Sequence, residues 1–186
     1  MRMAYIGMGA NLESWAGPPA QTLAAAVVRL GSLGQVVRRS SLYLTEPVGY
    51  ADQPRFTNAV VALETAHAPA ALLHELLTIE KEFGRDRAAS FANGPRSLDL
   101  DILLLGDLCV SMADLVLPHP RLAGRAFVLV PLNEIAPQLC IPQTNASVAE
   151  LLDRLRKNKP EDIDAVVPME SSVWGAGGPA GSGAAR

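Results

Sequence analysis

Cysteine is scarce in this chain. There are two, Cys109 and Cys140, and they do not form a Cys-x-x-Cys pair. That argues against a disulfide framework and against a zinc site. Long apolar runs are missing as well: none reaches the roughly 18 residues that a membrane-spanning helix needs. The opening "MRMAYIGMG" turns polar and irregular too early for a signal peptide. The expected setting is the reducing cytoplasm, with no membrane partner and with the chain acting as a monomer. Lysine is nearly absent, three against 13 arginines, but the skew runs along the whole chain and carries no functional weight. Excess positive charge is lacking too. The formal net charge is −3, which argues against a surface given over to nucleic acid and restricts any phosphate site to a local basic patch.

What is present is apolar material. Hydrophobic residues make up 49% of 186 residues, enough for one domain with a real core. Residues 3–9 read as a short strand, and "PAQTLAAAVVRLGSL" (19–33) as a helix opened by proline. "QVVRRSSLYLT" (35–45) is β-rich, 46–55 is loop, and "FTNAVVALET" (56–65) returns to strand. "PAALLHELLTIEKEFG" (69–84) is the clearest helix: Leu72, Leu73, Leu76, Leu77, Glu80 and Phe83 share one side, and Gly84 ends it. Residues 85–96 form a second polar loop before an apolar strand at 97–105. The order β-α-β-β-α-β predicts an α+β fold of the ferredoxin-like, split βαβ type, an antiparallel sheet with helices on one face. "LVLPHPRL" looks extended. "RAFVLVPLNEIAP" and "SVAELLDRLRK" add C-terminal helices. The domain is expected over 1–160. Residues 169–186, rich in Gly, Ala and Ser, are expected to be a disordered tail. The two polar loops are long for a compact domain, which suits lids over a site.

The stretch "GPRSLDLDILLLGD" (94–107) poses the chemical question. Strand alternation puts Leu98, Leu100, Ile102 and Leu104 on one face, and Asp99, Asp101, Leu103 and Leu105 on the other. Two carboxylates two residues apart repel each other. An edge strand with a solvated face would tolerate that. A Mg²⁺ site would use it, since the ion prefers carboxylate oxygen and shares its sphere with waters and phosphates. The Leu-rich flanks and the preceding Gly-Pro-Arg turn favour the metal.

Cations cluster around this pair in sequence. Arg96 precedes Asp99 by three residues, Arg85 and Arg87 open the same loop, and His119, Arg121 and Arg125 follow the strand. A polyphosphate bound through a dication needs such donors. Phe56 and Asn58 share a strand face, a pairing suited to a flat heterocycle with donors and acceptors. Phe127 starts a later helix. "GMGANL" (7–12) resembles a dinucleotide fingerprint but lacks its third glycine and its acidic residue. Gly7 and Gly9 more simply let another group approach the first strand. Neither cysteine has a base in view, so neither is a nucleophile.

Four segments, "YIGMGANL", "TEPVG…DQPRFTNAV", "GPRSLDLDILLLGD" and "LPHPRLAGRAFVLVPLNEIAP", stand in the order and spacing of a known family. Over residues 3–155 the chain resembles the 6-hydroxymethyl-7,8-dihydropterin pyrophosphokinases of folate biosynthesis. The resemblance implies transfer of pyrophosphate from ATP to the pterin hydroxymethyl oxygen, with AMP released. It implies two Mg²⁺ ions held by Asp99 and Asp101, and ATP phosphates bound by Arg85, Arg87, Arg96, His119 and Arg125. Arg85 and Arg96 join the aspartates as catalytic residues. The pterin is implied between Phe56 and Phe127, bonded by Asn58 and by backbone near Thr45 and Val48. Glu80 matches a position near the nucleotide. Some members carry Trp immediately before Gly-Pro-Arg, where it helps close the loop. Here that position is Asn93, and Phe91 is the nearby aromatic.

Phosphoryl-type transfer asks mainly for positioning and charge stabilisation, so the lack of a nucleophilic side chain is consistent. A nucleotidyltransferase would use the same Asp-x-Asp but release pyrophosphate. An RNA-binding domain of the same strand order would carry aromatics where this chain has its acidic pair. A pterin-binding protein without catalysis would have no use for Asp99, Asp101 and Arg96.

Overall fold

Apolar alternation over β1 (Arg2–Ala10) sends Ala4, Ile6, Met8 and Ala10 into one core layer. The computed structural model describes residues 1–86 and 94–175. After β1 come α1 (Pro19–Leu30), β2 (Gln35–Arg39), β3 (Leu42–Thr45), β4 (Phe56–Thr65), α2 (Pro69–Glu82) and β5 (Asp99–Leu105), the split βαβ order. A second part follows: β6 (Val110–Ser111), β7 (Val116–Leu117), a 3-10 turn at Leu122–Gly124, α3 (Ala126–Ile135), β8 (Cys140–Ile141), β9 (Ala146–Ser147), α4 (Val148–Asn158), α5 (Pro160–Asp164) and β10 (Val167–Met169). The main sheet runs β10-β3-β4-β1-β5, with β2 also on β4, and every pairing is antiparallel.

Proline opens α1 and α2, where its missing N–H costs nothing. Each helix then buries a stripe: Leu23, Ala26 and Leu30 from α1, Leu72, Leu76 and Ile79 from α2. Just beyond α2, Gly84 takes φ +87°, a conformation that side-chain-bearing residues resist.

The structure corrects four expectations. Helices cover both faces of the sheet, not one. α1 and α2 pack on the face of Ile6, Val61 and Leu100, while α3 and α4 pack Leu129, Leu132, Leu151 and Leu152 against Val60, Ala62 and Leu103 on the other. Strands covered by helices on both sides must be apolar on both sides, as β4 is over Ala59–Leu63. Second, Leu104 joins the α3 face and Leu105 the α1 face. The register passes from Ile6↔Ile102 to Tyr5↔Leu104, so Leu103 is an extra residue and the alternation reverses beyond it. Third, residues 35–45 form two strands, not one, separated at Ser40–Ser41.

The fourth concerns the tail. Its start is ordered: Met169 pairs with Leu42 in β10–β3, and Trp174 is 2% exposed within the core. One large buried ring offsets the ordering cost that the small residues around it cannot. Residues 176–186 lie outside the described residues, as do Arg87, Phe91 and Asn93. Among the described residues no helix is long and apolar enough to cross a membrane, and both cysteines are free and exposed.

Candidate active site

Antiparallel pairing gathers the end of β1 and the start of β5 at one end of the sheet, along with the end of β3 and the start of β4. Register then does the rest. Gly9 pairs with Asp99 on one side and with Asn58 on the other, and Asn58 pairs with Tyr43. Gly7 likewise pairs with Asp101 and with Val60. Each aspartate therefore faces a glycine across the β1–β5 ladder. A Cβ on Gly9 would stand 2.9 Å from Asn58 Oδ1, and one on Gly7 3.3 Å from the Leu103 side chain. The glycines leave an open floor between the carboxylate strand and the amide strand.

Asp99 is the hub of a charge network. Its carboxylate takes Arg85 Nη1 and, at 2.7 Å, Arg96 Nη1. Arg85 Nη1 also reaches Glu80 Oε1 at 2.8 Å. Glu80 is almost fully buried, and the same oxygen accepts the Leu100 amide at 2.8 Å. A buried carboxylate on α2 thus fixes both the start of β5 and the arginine that reaches its first aspartate.

Asp101 is looser. Its side chain is 41% exposed and its cation, Arg125 Nη1, stands 3.8 Å away. Burial, and after it the charge of Asp99, raises its carboxyl above the ordinary carboxylate value. Among the described residues no three His, Cys, Asp or Glu side chains form a metal cluster. Two carboxylates facing one way suit an ion that fills its sphere with phosphate and water. The repulsion that raises the Asp101 carboxyl is the kind a dication relieves.

The arginines also cover the aromatics. Arg96 Cζ lies 5.4 Å from the Phe56 ring centre, and Arg125 Cζ lies 5.4 Å from that of Phe127. Two parallel sets result, Phe56–Arg96–Asp99 and Phe127–Arg125–Asp101. Burial, then repulsion from Arg121, lowers the Arg125 pKa from its ordinary value. His119 is tied to β5 by its amide, which donates to Leu103 O at 2.9 Å. Its Nδ1 accepts the Arg121 amide at 3.1 Å, and burial lowers its pKa. A neutral imidazole accepting at Nδ1 carries its proton on Nε2, ready to donate.

Asn58 is buried and spends its amide nitrogen on Thr45 Oγ1 at 2.7 Å, leaving Oδ1 toward the Gly9 floor. Thr45 is buried too, whereas Val48 is 67% exposed in the 46–55 loop. The structure therefore brings together Arg85, Arg96, Asp99, Asp101, His119 and Arg125, and beside them Phe56, Asn58, Thr45 and Phe127. Val48 lies in the 46–55 loop that follows Thr45, and Arg87 is outside the described residues.

Asn11 was not expected. It is buried, accepts the Arg96 amide at 2.7 Å, and donates to Gln53 Oε1 at 2.9 Å and Pro54 O at 3.0 Å. One carboxamide so joins the Arg96 turn to the 46–55 loop. A polar amide closing an otherwise apolar strand was the only hint in the sequence.

Known proteins match this chain. The family model for 7,8-dihydro-6-hydroxymethylpterin-pyrophosphokinase (HPPK) matches residues 5–137. The 2-amino-4-hydroxy-6-hydroxymethyldihydropteridine pyrophosphokinase of Pseudomonas aeruginosa is 42% identical over 76% of this chain and 85% of its own length. The Haemophilus influenzae protein of that name is 40% identical over 86% and 96%, and the Methylorubrum extorquens one 42% over 88% and 100%. Among solved structures, a Plasmodium falciparum HPPK-DHPS aligns with a TM-score of 0.69 at 16% identity. That alignment covers 88% of this chain but only 44% of the longer one, and it bears on the fold alone. The matched segment and the relatives covered over most of their own length agree: the chain belongs to the 7,8-dihydro-6-hydroxymethylpterin-pyrophosphokinase family.

Proposed function

We propose that the family's reaction runs across the row Asn58–Gly9–Asp99, with the pterin at the Asn58 end and the ATP phosphates at the Asp99 end. The protein is an ATP-dependent pyrophosphokinase of folate synthesis. It moves pyrophosphate from ATP to the hydroxymethyl group of 6-hydroxymethyl-7,8-dihydropterin. The substrate oxygen bonds to the β-phosphorus, the bond from that phosphorus to the α-phosphate oxygen breaks, AMP leaves, and the hydroxyl proton passes to solvent.

The observation that carries the site assignment is the register placing Asp99 and Asn58 on either side of Gly9. Asn58 Oδ1 accepts from the pterin while Thr45 keeps the amide turned the right way. Phe56 and Phe127 supply ring faces, and backbone near Val48 in the 46–55 loop closes over the heterocycle. Asp99 and Asp101 hold two Mg²⁺ ions. When bound, these supply charge neutralisation along the triphosphate. Arg85 and Arg96 hold Asp99, and Arg125 faces Asp101, until substrates arrive. The guanidinium groups then turn to phosphate oxygens, for which their forked donors are suited. His119 donates from Nε2, and Arg87 adds a further cation. Net negative charge and a confined basic patch support small-molecule substrates and not nucleic acid.

The test is incubation of the purified protein with ATP, Mg²⁺ and 6-hydroxymethyl-7,8-dihydropterin. AMP is expected only when all three are present. Pyrophosphate in place of AMP would mean nucleotidyl transfer, and neither product would leave a binding protein.

A further inference from the structure

The C-terminal segment stands outside residues 5–137, the span of the family match, yet it reaches the strand that carries Thr45. β10 lies against the outer edge of β3, Val167 opposite Leu44, Pro168 opposite Tyr43 and Met169 opposite Leu42. The chain then brings Trp174 under the sheet, into the same core layer as Leu42. Its indole Nε1 donates to the Ser40 carbonyl at 2.7 Å.

That carbonyl needs a partner. Ser40 is fully buried at the break between β2 and β3. Its amide donates to Val60 O at 2.9 Å, and its hydroxyl accepts the Val60 amide at 3.0 Å. The break is thereby tied to β4, and the indole takes the carbonyl oxygen. A buried acceptor left without a donor is costly, so the bond holds the break in one shape. From the opposite face Glu134 accepts the Ser41 amide at 2.8 Å, the Ser41 hydroxyl at 2.9 Å and the Tyr43 hydroxyl at 2.9 Å. β3 is gripped from both sides and along its edge. Only two residues beyond Tyr43, Thr45 fixes the Asn58 carboxamide.

We propose that Trp174 is a positioning residue for the pterin: through the Ser40 carbonyl and the β10–β3 pairing it sets the place of Thr45, and so the direction of Asn58 Oδ1. This rests on the reading that Asn58 and Thr45 form the pterin end of the site. Trp174 touches neither substrate, and it lies on the face of β3 away from Glu134 and the aspartates.

The experiment uses the full chain, with Trp174→Ala and Trp174→Phe, below the unfolding temperature of each. 6-Hydroxymethyl-7,8-dihydropterin is titrated calorimetrically in the presence of Mg²⁺ and α,β-methylene-ATP, and the ATP analogue is titrated separately. Trp174→Ala should weaken the pterin about tenfold while the analogue stays within about twofold. Trp174→Phe, which keeps a ring and loses the donor, should weaken it about threefold. Unchanged pterin affinity in Trp174→Ala, or equal weakening of both ligands, would overturn the inference. If the alanine variant does not fold, unchanged pterin affinity in the phenylalanine variant overturns it alone. A wild-type chain that binds no pterin would overturn the site reading and this inference together. Wild-type binding with indifferent variants would overturn only the inference.

Discussion

A side chain starting at Gly9 would place its Cβ 2.9 Å from the Asn58 carboxamide oxygen. Asn58 cannot easily retreat, because its nitrogen is held by Thr45 at 2.7 Å inside the sheet. Gly9→Ala should therefore act on the pterin end first. We expect the KM for pterin to rise about tenfold, from the loss of one well-placed hydrogen bond, with the KM for ATP nearly unchanged. Steady-state kinetics with each substrate varied in turn checks this.

Glu80 and Arg85 form the most deeply buried ion pair of the described site, with side-chain exposures of 1% and 11%. Glu80→Ala removes an acceptor for the Leu100 amide and leaves Arg85 with a partner missing. The expected loss of stability is about 3 kcal/mol, read by urea unfolding. Glu80→Gln keeps the shape and an acceptor for Leu100, and should cost less.

The two aspartates should respond oppositely when each becomes asparagine. Asp99 is bound by Arg85 and Arg96, so Asp99→Asn should lower stability by about 2 kcal/mol. Asp101 has a raised carboxyl pKa from burial and from Asp99. Its folded form binds a proton more tightly than the unfolded chain does. That contribution is fully present below the unfolded carboxylate value of 3.8 and is lost as pH rises through the higher folded one. Asp101→Asn should thus raise the melting temperature at pH 7, by on the order of 1–2 °C given its exposure. The gain should vanish in acid below the ordinary carboxylate range. Both variants should lose activity by a factor on the order of 10³. Thermal scans at pH 7 and in acid, beside AMP release, test the set.

Ending the chain at Glu170 removes Trp174 from the core. Loss of a buried Trp costs about 3–5 kcal/mol, so the truncated protein should unfold at a visibly lower temperature. Calorimetry on the two chains decides it.

Much of this was legible beforehand. Pro19 marked a helix start, and the period of Leu72, Leu76 and Glu80 marked a buried stripe. Asp99 and Asp101 announced a shared strand face because alternation holds up to Ile102. The reversal after it was not legible, because Leu103, Leu104 and Leu105 look the same on either face. Trp174 was hidden by its Gly-rich surroundings: composition averages over a window, whereas one indole can order a segment. Glu80 was placed on the correct side of its helix. Its pull on Arg85 and on the Leu100 amide depended on a strand twenty residues away. The second layer of helices escaped because the apolar run Ala59–Leu63 of β4 fits a strand covered twice but does not say by what.

Asn58, Gly9 and Asp99 occupy three adjacent strands, and neighbouring strands in any sheet are about 4.8 Å apart. The backbones that carry the amide and the first carboxylate therefore stand roughly 10 Å apart, two such steps. That interval belongs to the hydrogen-bond ladder, not to any side chain. It works as a ruler, and the combined reach of the two docked substrates has to fit it. Exchanging residues along the row alters how firmly each end grips. To change the distance across which the ends cooperate, the order of the strands would have to change.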